Sequence, residues 1–104
     1  AFVGVNENSG MAILSAATSA GLSDLYITTV DATAENMAAI RDGKVAIGVS
    51  QDPYKMGYTA VEQAIKWCQG EETDEFIEVP VEYMDKDNIQ DFIDREKGYG
   101  VEVE

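Results

Sequence analysis

LYITTVDATAENMAAIRDGKVAIGV, residues 25–49, decides the fold. Its first part, Leu25 to Val30, is rich in β-formers and lacks polar alternation, which predicts a strand covered on both faces. After Asp31, Thr33 is placed to cap a helix running through Met37 and Ile40, and Asp42-Gly43 ends it. Val45 to Val49 then forms the next strand. A strand, a helix, a glycine stop and a second strand make one right-handed crossover unit, so the two strands lie parallel.

The same unit recurs on either side. Upstream, Phe2 to Val5 is an apolar strand that meets the polar cluster Asn6-Glu7-Asn8-Ser9, a helix N-cap, and the helix shows Gly10, Ile13, Leu14 and Ala17 on one face before Gly21 stops it. Downstream, Asp52-Pro53 is a strong helix start, because Asp caps free amides and Pro is tolerated at the first helical position. That helix reaches Gln69-Gly70, with Gly57, Ala60, Val61, Ala64, Ile65 and Cys68 on a stripe predicted to be buried. Three repeats predict an α/β fold: a three-layer α/β/α arrangement on a Rossmann-like parallel sheet. Beyond Gly70, Phe76 to Met84 reads as an extended segment, Asp85 to Glu96 as a short acidic helix, and Gly98-Tyr99-Gly100 as a loose end. The chain opens directly on a strand, without an initiator methionine or leader, and is read as part of a larger protein.

At 104 residues and 45% hydrophobic content, one compact core is the upper limit, and no apolar run approaches the length of a membrane span. The net charge of −13 repels phosphate backbones and anionic lipid, which removes nucleic acid as a direct partner. The charge is uneven: residues 1–70 hold seven acids against four bases, and residues 71–104 hold thirteen against three. The acidic run reads as a solvated face or frayed end. Cys68, the single cysteine, cannot form an internal disulfide and is predicted to be a buried structural thiol, since no histidine exists to activate it.

In open α/β sheets, ligands sit in the crevice beyond the carboxyl ends of the strands. Each predicted strand ends in one hydrogen-bonding side chain there: Asn6 after Val5, Asp31 after Val30, and Gln51 after Val49-Ser50. A carboxylate accepts at both oxygens and an amide donates and accepts, a set that matches vicinal hydroxyls better than a phosphate or a cation. Taken singly, each of these residues is equally well read as a helix cap. General acid–base chemistry needs a histidine or carboxylates with separated pKa values, and only Asp31 is placed in the crevice, so no enzyme is expected. Asp85, Asp87, Asp91 and Glu96 have part of a calcium-loop spacing, but Ile89 and Gln90 stand where a ligand and the turn glycine belong, so no metal is expected. No glycine-rich phosphate loop follows any strand, and no cofactor is expected.

With these segments in place, the sequence resembles the class I periplasmic binding proteins of ABC importers, the sugar-binding proteins of the ribose-binding type. The resemblance covers Phe2 to about Asn88 and is carried by Asn6-Glu7 ahead of an alanine-rich helix, Val30-Asp31-Ala32-Thr33, Ala39-Ile40-Arg41-Asp42-Gly43-Lys44, Val49 through Gly57, and Met84-Asp85-Lys86-Asp87-Asn88. It departs from the family at Glu7, at Val30-Asp31-Ala32 and in the acidic end. The resemblance implies a partial periplasmic-binding-protein-like fold in which two lobes close on a monosaccharide, with Asn6, Asp31 and Gln51 touching its hydroxyls. It further implies that residues 1–51 belong to the C-terminal ligand-binding lobe. Residues 52–78 then cross the hinge and supply a helix to the N-terminal lobe, and residues 79–104 return as a crossing and an acidic tail. A permease partner and a periplasmic or lipoprotein-anchored location follow from it. Isolated from the other lobe, the Pro53 to Gln69 helix is expected to drive a dimer or swapped oligomer. The alternatives are the effector domain of a lactose-repressor-type regulator, whose usual Pro-Leu-Thr-Thr run is missing before Gln51, and a periplasmic sensor domain.

Overall fold

Three glycines end the first three helices in the same way. Gly21, Gly43 and Gly70 all have positive φ, and the amide one residue further on donates back to a carbonyl in the last turn: Leu22 to Ala17, Lys44 to Ala39, Glu71 to Lys66. A side chain at those positions would strain the turn, so the stops are set by glycine itself. Between them a computed structural model, describing residues 1–104, places β1 (Phe2–Val3), α1 (Glu7–Ser19), β2 (Ile27–Val30), α2 (Ala34–Arg41), β3 (Ile47–Ser50), α3 (Pro53–Cys68), β4 (Glu82–Met84) and α4 (Ile89–Gly98).

The sheet runs β1-β2-β3-β4. The first three strands are parallel, as predicted, with Val3 opposite Thr28 and Val30 opposite Val49. β4 adds an antiparallel edge, with Ser50 opposite Glu82 and Gly48 opposite Met84.

Alternation along β2 puts Ile27 and Thr29 on one face, both buried, and leaves Thr28 and Val30 half-buried on the other. α1 seats on the first face so closely that a Cβ on Gly10 would stand 2.4 Å from Thr29 Oγ1, and one on Gly4 would stand 2.5 Å from the Gly10 nitrogen. α2 lies on the same side, where Ile40 approaches Gly48. The buried core lies there: Ile27, Met37, Ala39, Ile40, Val45, Met84, Ile89, Phe92 and Ile93 form one cluster. The opposite face has no helix over it, and Val3, Val5 and Tyr83 are 72%, 79% and 68% exposed. Two of the three layers therefore lie within these residues, and β2 is covered on one face rather than both.

Two expectations are corrected here. The acidic C-terminal segment is not simply a solvated or frayed end: α4 turns Ile89, Phe92 and Ile93 inward and Asp91 and Asp94 outward, and its third acid, Glu96, is buried. The end that follows is also tied down, because Val101 and Val103 lie against the core, Arg41 donates to the Glu104 carbonyl, and Tyr99 stacks on Tyr54 at 3.8 Å.

The helix with the clearest stripe is the other correction. None of α3 is buried, including Gly57, Ala60, Val61, Ala64, Ile65 and Cys68, so the lone thiol is exposed. α3 and the returning segment project from the body as an arm. The molecule measures 59 × 24 × 19 Å, and its radius of gyration of 16.7 Å exceeds the roughly 13 Å of a compact domain this size.

Candidate functional site

The carboxyl ends of β1, β2 and β3 form one rim, and it carries all three side chains named from the sequence. Asn6 follows β1, Asp31 follows β2, and Gln51 follows β3, so adjacent parallel strands deliver them side by side. Asp31 is half-buried, while Asn6 and Gln51 are exposed.

Asp31 and Gln51 are in direct contact. Gln51 Nε2 donates to Asp31 Oδ1 at 2.7 Å, leaving the second carboxylate oxygen and the Gln51 carbonyl oxygen to accept from a ligand. Asp31 takes a φ of +83, a left-handed conformation unusual for a side-chain-bearing residue. Its amide donates to Val49 O at 2.8 Å, which carries the β2–β3 ladder one residue past the strand end.

Asn6 has a double role. It is the N-cap of α1: Oδ1 accepts from the Ser9 amide at 2.9 Å, while Ser9 Oγ accepts from the Asn6 amide at 3.2 Å. The cap uses one of the oxygen's two lone pairs and leaves the Nδ2 donors uncommitted. The rim therefore offers both donors and acceptors, with one lone pair of Asn6 and one amide hydrogen of Gln51 already used within the chain. Its neighbours are structural. Glu7 accepts from the Thr33 hydroxyl and joins the starts of α1 and α2, and Asp52, at φ +50, caps α3 by accepting from Lys55 N at 3.0 Å.

No wall rises opposite the rim. The largest concavity, about 430 Å³, lies in the arm, between Met56, Ala60 and Gln63 of α3 and Phe76, Ile77 and Val79 of the returning segment. One residue of the site escaped the sequence reading. Asn36, on the first turn of α2, is completely buried and donates from Nδ2 to the Asp31 carbonyl at 2.5 Å. Its position three residues after a helix cap gave no sign of burial.

Known proteins share this fold and parts of this sequence. The chain is similar to a Rhizobium meliloti protein named for rhizopine binding, at 29% identity over 94 residues, covering 88% of this chain and 30% of that protein. It is similar to the ribose import binding protein RbsB of Escherichia coli K12 at 35% identity over 66 residues, covering 64% of this chain and 22% of that protein. The chain thus spans under a third of the length of these curated relatives. Among solved structures, an ABC transporter solute binding protein from Agrobacterium vitis with bound D-fucose superposes with a TM-score of 0.79 at 26% identity, over 95% of this chain and 33% of that one. A family model described as a periplasmic binding protein domain matches residues 1–72, and the chain belongs to that family.

Proposed function

We propose that this chain supplies one wall of the sugar site in the solute-binding component of an ABC importer, and that the site takes a monosaccharide or similar polyol. The observation that carries this reading is the rim itself, where Asn6, Asp31 and Gln51 follow three adjacent parallel strands and Asp31 is already paired with Gln51 at 2.7 Å. A neutral ring with vicinal hydroxyls satisfies such a set: one hydroxyl donates to the open Asp31 oxygen and accepts from Asn6, and its neighbour donates to Gln51. Anions are disfavoured by the carboxylate. The relatives named for ribose import and rhizopine binding, and the neighbour holding D-fucose, support the same substrate class.

In this reading residues 1–51 form part of one lobe, residues 52–78 cross to the other, and residues 79–104 return. The projecting arm supports that division, since α3 is amphipathic yet none of its residues is buried within the chain. The chemistry is binding without bond breaking: Asp31 is paired with an amide, and Glu7 and Asp52 beside it serve the helix starts. The full-length protein is placed in the periplasm with a membrane permease as its partner.

The test is a thermal-shift screen of the full-length protein against D-ribose, D-fucose, D-allose and myo-inositol, followed by calorimetry on the best binder. Asp31→Ala is expected to weaken binding by about 2–3 kcal/mol, the scale for a charge-assisted hydrogen bond left unpaired. Unchanged affinity would remove Asp31 from the site.

A further inference from the structure

Asn36 is an unexpected residue to bury. It sits in α2 beside Met37 and Ile40, near Gly48, on the packed face of the sheet, where an apolar side chain of similar volume would fit without a polar cost. It is nevertheless completely buried, and its Oδ1 has no hydrogen-bond partner. An orphaned buried oxygen is rare in folded proteins, which points to a function for the other half of the amide.

That other half closes on the turn that carries Asp31. Nδ2 donates to the Asp31 carbonyl at 2.5 Å and lies 3.4 Å from the Val30 carbonyl. Two carbonyl oxygens on one side fix which way the amide faces, since the reverse orientation would set oxygen against oxygen. The Asp31 amide is meanwhile held by Val49 O. Both backbone groups of a residue at φ +83 are therefore clamped, one by β3 and one by Asn36. A backbone fixed in this way holds the carboxylate at the rim, bonded to Gln51.

We propose that Asn36 is a positioning residue for the sugar site: without touching the ligand, it holds Asp31 in the left-handed conformation that presents its carboxylate beside Gln51. This rests on Asp31 being a ligand contact, and the experiment separates the two claims. Calorimetry on the full-length protein, with whichever of the four screened sugars gives the largest thermal shift, compares wild type, Asn36→Leu, Asp31→Ala and the double variant.

Asn36→Leu is expected to bind about tenfold more weakly in the wild-type background and to add less than about twofold once Asp31 is alanine, because the clamp then has no carboxylate to aim. Asn36→Ala, which removes the donor without new bulk, serves if the leucine variant does not fold. Amide exchange at Asp31 in the ligand-free variant is expected to rise about tenfold while Ile40 is unchanged. A loss in Asp31→Ala with an equal Asn36 effect in both backgrounds, or with none in either, overturns the positioning role alone. Unchanged binding in Asp31→Ala overturns the sugar contact and the role with it, and unchanged exchange at Asp31 overturns the clamp whatever sugar is used.

Discussion

α3 and α4 are both amphipathic, and they end in opposite environments. α4 lies in the most acidic part of the chain, yet it sends Ile89, Phe92 and Ile93 into the core beside Met37 and Ile40. α3 carries fewer charges and a longer apolar stripe, yet it leaves Val61, Ile65 and Trp67 in solvent. An apolar stripe states that a helix needs a partner surface; it does not state that the partner lies in the same stretch of chain. Charge on the far face of a helix likewise says nothing against burial of the near one.

The largest expected effect separates the two helices directly. Phe92→Ala should lower the unfolding free energy of the chain by about 3–5 kcal/mol in urea, the usual loss for an aromatic core side chain. Trp67→Ala, at a position 72% exposed, should change it by less than about 0.5 kcal/mol. Equal effects would mean that the arm is folded against the body in solution.

Glycine sharpens the contrast at a smaller scale. Gly4→Ala must displace the backbone of Gly10, which a new Cβ would meet at 2.5 Å, and is expected to cost about 1–3 kcal/mol. Gly57→Ala meets nothing within 4 Å and sits inside α3, so it should stabilise that helix by about 0.5–1 kcal/mol, read as slower amide exchange along the arm. A destabilised arm would show that Gly57 is already closely packed.

The smallest effect belongs to the surface. Hydrogen bonds from Lys44 and then Arg41 hold the Asp42 carboxyl below its ordinary range. A depressed folded-state pKa contributes stability above the unfolded-state value of about 4, and that contribution is lost as pH falls through the lowered pKa. Asp42→Asn should therefore be slightly less stable at neutral pH, with the difference vanishing in acid and shrinking in high salt. A difference that persists at the acid end would assign the effect to the amide substitution rather than to charge.

Local punctuation was the legible part of this sequence. Gly21, Gly43 and Gly70 each need positive φ, Thr33 and Asp52-Pro53 each start a helix, and these residues fix the order of elements without tertiary information. The rim followed from that order, since strand ends in a parallel sheet lie at one edge. What was not legible depends on non-local contact. The antiparallel pairing of β4, the bare sheet face and the exposure of Cys68 depend on which surfaces meet, and strand and helix periods are the same whether or not they do. Asn6 shows both readings in one residue: its place at the rim and its fitness as a helix cap could each be read, and the structure has it doing the second while standing at the first. Asn36 shows the limit, because a polar residue in a first helical turn ordinarily faces water.

The two chain segments that join body and arm leave from neighbouring strands running in opposite directions, with Ser50 of β3 set against Glu82 of β4. Because the pairing continues to Ser50 and Glu82, both threads start from a fixed ladder, and the Tyr54–Tyr99 stack holds the near end of the arm to the body. Gln51, the first residue of the outgoing thread, therefore joins the foot of the arm to Asp31 through its side chain.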